Sequence, residues 1–269
     1  MRKLHEIREA VKKKHPLIHC ITNPISINQC ANGILAVGAR PMMAEHPAEA
    51  REITETADAL MLNLGNITDA RMQSMKISLL AAKEKKIPVI LDAVGVACSR
   101  LRRRYMAELL EIGIPTVIKG NYSEIYALHH AVYRSSGVDA DAALNLDSVT
   151  AAAAELALKY RATILASGKV DAVTDGQRIV HVINGTAQLS AVTGTGCMLG
   201  ALCGAYLSVS PDMNAALTAC VMLGICGQIA ETEKGSGSFM VNLMDALSTL
   251  TDAQLDQYMN TEEIKHEKL

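Results

Sequence analysis

The chain has 269 residues, 49% of them apolar and 20% charged, with a formal net charge of -2. That length holds one large domain or two small ones around a sizeable core, and the charge balance excludes the basic footprint of a nucleic-acid-binding protein. Seven cysteines, with no CxxC pair and no zinc-spaced Cys/His cluster, exclude a metal-knuckle reading.

With no tryptophan and one phenylalanine, the core must be Leu, Ile, Val, Ala and the gap-filling of thirteen methionines. The N-terminus lacks the apolar stretch of a secretory signal, and no apolar run reaches the length of a bilayer span. Together with free thiols, this gives the expectation of a cytoplasmic protein without membrane contact. The basic run Arg100, Arg102, Arg103 and Arg104 reads as a solvated helix face.

Residues 2–14 form an amphipathic pattern closing on Lys12, Lys13 and Lys14, a helix with Pro16 just beyond its end. A short apolar strand over 17–21 runs into the polar turn Thr22-Asn23-Pro24, then a helical stretch over 25–37. By position alone, Asn23 reads as a turn or capping residue before a ligand-binding amide. A short apolar piece over 41–44 precedes a helix from about Pro47. Then come a strand over 59–65 ending in Asn-x-Gly, a helix over 69–86, a strand over 88–92 ending in Asp92, and a helix over 99–112. They are followed by a strand over 116–120, a helix opened by Ser123-Glu124, an alanine-rich helix over 147–160 and a strand over 162–168.

After Gly168 the pattern changes: 170–174 and 178–183 read as a hairpin about Asp175-Gly176. The remainder is helical from 197, through 212–232 and 238–250, with a polar tail from 252 that frays or packs as a short helix. Strands alternating with helices predict an α/β fold over 1–269, its mostly parallel central sheet covered by helices on both faces.

The segment Ala191-Val192-Thr193-Gly194-Thr195-Gly196-Cys197-Met198-Leu199-Gly200 opens the first of the late helices. Glycines either side of Thr195 permit a tight turn and close approach of a ligand. The unpaired N–H groups of a first helical turn suit an anion such as phosphate. A thiol in that turn is expected to have a lowered pKa. Gly194 to Gly200 has the wrong spacing and place for a dinucleotide fingerprint, and Gly168-Lys169-Val170 is not a P-loop.

Polar residues also stand at the ends of the strands: Asn23, Asn63, Asp92, Lys119 with Asn121 and Glu124, and Ser167. In a parallel sheet the carboxyl ends of the strands are where ligands bind. Two carboxylates, Asp92 and Glu124, without a His or Cys cluster, suit a hard cation such as Mg²⁺. A cation, Lys119 and an anion cradle together suit phosphoryl transfer. Cys197 is a candidate base for the acceptor hydroxyl, or a covalent nucleophile; the base is preferred because no partner histidine is legible.

Four segments together resemble the hydroxyethylthiazole kinase family: His19-Cys20-Ile21-Thr22-Asn23, Leu91-Asp92-Ala93-Val94-Gly95, Lys119-Gly120-Asn121-Tyr122-Ser123-Glu124-Ile125, and Val192 to Cys197. Gly235 to Phe239 adds to the resemblance, which runs from about 15 to 250. It implies a ribokinase-like three-layer sandwich and ATP-dependent phosphorylation of the hydroxyl of 4-methyl-5-(2-hydroxyethyl)thiazole with Mg²⁺, in thiamine biosynthesis or salvage.

By resemblance, Asn23, Met43 and Gly194 contact the thiazole. Lys119 and Ser167, with Thr195 and Gly196 of the cradle, contact ATP. Asp92 and Glu124 attend the metal, and Cys197 is the catalytic cysteine. A homotrimer with sites between subunits is implied as well. The chain departs from the family in carrying Lys119 for the usual Arg, Ser167 for a common Thr and Ala93 for a usual Pro. Alternatives are a hydroxymethylpyrimidine kinase, a dehydratase repairing hydrated nicotinamide nucleotides, and a non-catalytic binder.

Overall fold

The computed structural model describes residues 2–130 and 144–264. Its organising element is a sheet that, among the described residues, has nine strands in the order β2-β1-β3-β4-β5-β6-β7-β8-β9. The strands are β1 (Leu17–Ile21), β2 (Arg40–Met42), β3 (Ala59–Asn63), β4 (Val89–Asp92), β5 (Val117–Asn121), β6 (Thr163–Ser167), β7 (Asp171–Thr174), β8 (Ile179–Val182) and β9 (Thr261–Ile264). The first six pair in parallel and the last three join antiparallel. Strand order reverses at β1, between β2 and β3, which opens a crevice at the carboxyl ends there.

The helices are α1 (Arg2–Lys14), α2 (Ile27–Ala36), α3 (Ala50–Thr56), α4 (Asp69–Lys85), α5 (Arg100–Ile112), α6 (Tyr122–His129), α7 (Leu146–Tyr160), α8 (Ala187–Ser190), α9 (Thr195–Leu207), α10 (Met213–Ala230), α11 (Ser236–Thr249) and α12 (Asp252–Tyr258). Side chains alternate between the two faces of each strand. Ile18, Cys20, Met61, Ile90, Val117 and Leu165 pack with α1, α2, α9, α10 and α11. Ile21, Leu60, Leu62, Leu91, Ile118 and Ile164 pack with α4, α5, α6 and α7. The expected three layers are therefore two apolar cores on either side of one sheet.

Local signals place the element ends. Thr68 caps α4, its Oγ1 accepting from the Arg71 N–H, and Lys86 closes that helix in the left-handed region. The 171–182 hairpin turns where Asp175 Oδ1 accepts from the N–H groups of Gln177 and Arg178, with Gly176 at φ +90°.

Three sequence expectations change. The tail beyond 252 is more than a short helix: after α12, residues 261–264 add an antiparallel edge strand to β8. The helix expected from about Pro47 begins at Ala50, after a turn. And α10, 18 residues with mean hydropathy 1.6, is long and apolar enough by those measures to cross a bilayer, although 83% of it is buried inside the fold. It is apolar all round because it packs between α9, α11 and the sheet.

Candidate active site

Cys20, Met61, Ile90, Val117 and Leu165 lie on the α9 face of their strands. Two residues further along stand Thr22, Asn63, Asp92, Lys119 and Ser167, so each row turns polar at its carboxyl end. Register sets three of these side by side: Asn63 opposite Asp92, and Asp92 opposite Lys119. The N-terminus of α9 descends onto this row. Gly200 permits the approach, because a Cβ there would lie 3.0 Å from Met61 Cε and 3.3 Å from Asp92 Oδ2.

The row is a buried network. Lys119 Nζ donates to Asp92 Oδ2 at 3.0 Å, with Lys119 3% exposed and Asp92 fully buried. Asn63 Nδ2 donates to Asp92 Oδ2 at 3.0 Å and to Cys197 Sγ at 3.4 Å. Asn63 Oδ1 accepts from the Gly65 N–H at 2.8 Å. Asp92 Oδ1 is buried and has no hydrogen-bond partner among the described residues. Glu124, near Asp92, accepts from the Gly95 N–H with Oε1 and the Asn121 N–H with Oε2, both at 2.7 Å. The second of these belongs to a capping box that starts α6, in which Asn121 Oδ1 accepts from the Glu124 N–H.

Burial pushes the Asp92 carboxyl up, and the ammonium of Lys119 only partly pulls it back. Burial, and then the charge of Asp92, raise Glu124 to about 7. Burial opposes the charge on Lys119, but Asp92, Glu124 and Cys197 more than offset it and hold the side chain as an ammonium. Burial, then Asp92, raise the Cys197 thiol too, against Ser26, Lys119 and Asn63. This overturns the lowered pKa expected from the helix end. Removal of the sulfur from water, beside a carboxylate, outweighs a terminal partial charge.

Helix α9 begins as its sequence promised. Gly194, at φ +92°, is the N-cap residue, and the first amide bonded within the helix is that of Met198, to Gly194 O at 2.8 Å. The amides of Thr195, Gly196 and Cys197 precede it and form the anion-attracting turn. A Cβ on Gly196 would lie 4.0 Å from Lys119 Nζ, so the ammonium forms the floor beneath this turn. Thr195 Oγ1 donates to Leu189 O at 2.7 Å and Val192 O at 3.3 Å, closing the preceding loop. Its hydroxyl is engaged there, so an anion at Thr195 would meet its N–H.

Of the residues that the resemblance assigns to the thiazole, Asn23 and Gly194 lie at the crevice beside this turn. Asn23 caps a 3-10 turn, Pro24–Ser26, its Oδ1 accepting from the Ile25 N–H at 3.0 Å and from Asn66 Nδ2 at 3.2 Å. A Cβ on Gly65 would lie 2.8 Å from Asn23 Nδ2, and one on Gly194 would lie 3.1 Å from Ser26 Cβ. Asn23 is thus both the cap that position suggests and a wall of the crevice. Met43, partly buried against the α9-side core, follows the edge strand β2, and Ser167 ends β6 with its Oγ donating to Gly120 O at 3.4 Å. Neither shares the hydrogen-bonded network of Cys197.

Sequence reasoning set Asn63 among the strand-end residues without a role and missed two further neighbours. Asn63 joins Asp92 to Cys197. Ser26 lies beside the Cys197 sulfur and favours its thiolate. Gln29 packs beside Gly194, its Oε1 buried and unpartnered among the described residues. Asn63 was visible as a strand-end amide; nothing in the sequence marks the other two.

The site fits a hard cation of low protein coordination. No group of three or more His, Cys, Asp or Glu side chains that could hold a metal occurs among the described residues. Mg²⁺ needs only one or two carboxylates when phosphates and water complete its shell. The unpartnered Asp92 Oδ1 is such an oxygen, and burial, which raises both Asp92 and Glu124, leaves Lys119 as the ammonium facing the two carboxyls. Glu124, already holding two backbone amides, fits an outer role.

Residues 8–253 match the model of the hydroxyethylthiazole kinase family. "Hydroxyethylthiazole kinase 2" of Clostridium botulinum (strain Kyoto / Type A2) is 44% identical over 252 residues, 92% of this chain and 95% of the relative. A solved hydroxyethylthiazole kinase protein from Pyrococcus horikoshii OT3 superposes with a TM-score of 0.90 at 33% identity, covering 98% of this chain and all of that one. A ribokinase-like superfamily protein from Enterococcus faecalis V583 shares the fold alone, at TM-score 0.63 and 14% identity over 92% of this chain and 89% of its own. The fold is therefore ribokinase-like, and with a family match across most of its length the chain belongs to the hydroxyethylthiazole kinase family.

Proposed function

We propose that the chain transfers the γ-phosphoryl group of ATP to the hydroxyl of 4-methyl-5-(2-hydroxyethyl)thiazole, as a step of thiamine biosynthesis or salvage. The observation that carries this reading is the meeting of Cys197, Asp92 and Lys119 where α9 begins. The amides of Thr195, Gly196 and Cys197 receive phosphate oxygens, with the Lys119 ammonium beneath them. Lys119 therefore serves the nucleotide from below, as the counter-ion of Asp92, and not as an exposed clamp. Ser167 lines the nucleotide side, while Asn23, Met43 and Gly194 line the thiazole side. Mg²⁺ held by Asp92, with Glu124 behind it, would neutralise charge on the phosphoryl oxygens.

Cys197 receives the proton of the acceptor hydroxyl. A loose transition state for phosphoryl transfer asks little of a base until bond formation is advanced. The sulfur accepts that proton only as a thiolate, so the resting thiol, raised by burial, first gives up its own proton to solvent at the mouth of the site, and Lys119 and the Asn63 N–H stabilise the thiolate so formed. The reading includes a cytoplasmic homotrimer. Ile25, two residues from Asn23, is 55% exposed and Met42, beside Met43, is also exposed, leaving apolar surface at the substrate side for a second subunit to cover.

Coupled ADP release with purified protein, ATP and Mg²⁺ tests the reading. Release that depends on the thiazole, and is absent with a hydroxymethylpyrimidine or with EDTA, is the expected result. Folded protein that binds ATP but releases no ADP with the thiazole contradicts it.

A further inference from the structure

Asn63 is fully buried at the end of β3, where an apolar residue would fill the space without a polar group to satisfy. Instead its carboxamide makes three bonds, and they determine one another. Oδ1 accepts from the Gly65 N–H, which fixes the nitrogen on the opposite side, facing Asp92 Oδ2 and Cys197 Sγ. A flipped amide would point donors at the Gly65 N–H and an acceptor at the carboxylate, so the orientation is unique. One amide thus links the cation-side carboxylate, the sulfur and the turn whose Gly65 packs on Asn23.

We infer that Asn63 is a positioning residue for phosphoryl transfer: its two N–H donors hold Cys197 Sγ and Asp92 in one arrangement, with the sulfur's proton directed away from β3. This rests on the reading of Cys197 as the group that receives the substrate proton. A donor at 3.4 Å occupies one lone pair of the sulfur, so the S–H points elsewhere, away from β3. The same donor stabilises negative charge on sulfur when the proton is exchanged. The bond to Asp92 holds that carboxylate so that Oδ1 is the oxygen left without a partner.

The alternative is that Asn63 only builds the Gly65 turn. Asn63→Asp separates the two, because it keeps the shape and the acceptor for Gly65 but removes both donors. The test measures thiazole-dependent ADP release for wild type, Asn63→Asp, Asn63→Ala, Cys197→Ala and the Asn63→Ala/Cys197→Ala double variant. It also measures alkylation of Cys197 by iodoacetamide at pH 8, read at that peptide by mass spectrometry. Both Asn63 variants are expected to lower kcat by about 10- to 100-fold with KM for either substrate changed less than about threefold. In the Cys197→Ala background, Asn63→Ala is expected to cost less than about threefold more, the mark of two residues acting together.

Near wild-type kcat for Asn63→Asp, or an equal loss from Asn63→Ala in both backgrounds, overturns the inference. If Asn63→Asp does not fold, the Asn63→Ala pair decides. If the wild type releases no ADP with the thiazole, the substrate reading fails and the alkylation rate still decides: slower labelling in Asn63→Asp supports the inference, and an unchanged rate overturns it.

Discussion

Compared with each other, a charged cluster between α1 and α12 and the one at the α9 N-terminus differ in how their charges are balanced. Between α1 and α12, the buried Arg8 guanidinium pairs with Asp252 and donates to Leu250 O at 2.6 Å, while His5 Nε2 meets Asp256 Oδ1 at 2.7 Å. There the hydrogen bond to Asp256 raises His5, and the nearby imidazole of His5 lowers Asp252, so the charged form of each is favoured. At the carboxyl ends of β3, β4 and β5 the shifts run the other way for every acid. Asp92, Glu124 and Cys197 are all pushed toward their protonated forms, and one Asp92 oxygen has no partner. The first cluster supplies its own counter-charges and staples the C-terminal segment to α1. The second has a single ammonium, Lys119, to face Asp92, Glu124 and Cys197, the condition of a site completed by a cation and a phosphate-bearing ligand.

The strongest way to break this contrast is to remove the pivot of the second cluster. Asp92→Ala strands the buried Lys119 ammonium, and should lower unfolding free energy by about 3–5 kcal/mol in urea denaturation. A loss no larger than for an exposed pair would mean that the two charges are not bound to each other.

Next in size, Cys197→Ala should lower kcat by about 10²-fold or more, the low end for loss of a base, whereas Cys197→Asp should keep much of the activity. An Asp variant that folds, binds ATP and is as slow as the Ala variant would sink the assignment. A phosphocysteine trapped by mass spectrometry would replace it with covalent catalysis.

The smallest effect belongs to the staple. Asp252→Asn should cost under about 1 kcal/mol, because the Asp252 carboxylate is largely exposed and screened. Its thiazole-dependent ADP release should stay at the wild-type rate, and a large loss of kcat would show that the two clusters are coupled.

Much of this site was legible before its geometry. The strand and helix alternation was clear because buried parallel strands read as continuous apolar runs, and the polar ends of those runs named Asn63, Asp92, Lys119 and Ser167. The edge strand β9 was not legible. Thr261-Glu262-Glu263-Ile264 has no apolar alternation, being exposed and held at the sheet edge by β8 and by the Arg178–Glu263 pair at 3.0 Å. The direction of the Cys197 shift was misread because a helix end is a local feature. The burial and the carboxylate that override it are brought together by tertiary packing, across residues 92 to 197. Lys119 likewise read as a nucleotide contact at a strand end. Only the register of β4 against β5 shows it lying against Asp92.

The central claim, that the second cluster is short of positive charge, is tested most directly by thermal unfolding at pH 6 and pH 8. Wild type and Glu124→Gln are compared, each with and without ATP and Mg²⁺. A carboxyl raised to about 7 when folded, above its value of 4.5 when unfolded, holds its proton more tightly in the native state. Its contribution is therefore fully present below the unfolded value and is lost as pH rises through about 7, up to about 3 kcal/mol in all. Without Mg²⁺ the wild-type midpoint should fall from pH 6 to pH 8 more steeply than that of Glu124→Gln, and ATP with Mg²⁺ should remove most of the difference. Equal slopes for the two proteins, and no response of either to Mg²⁺, would contradict the account.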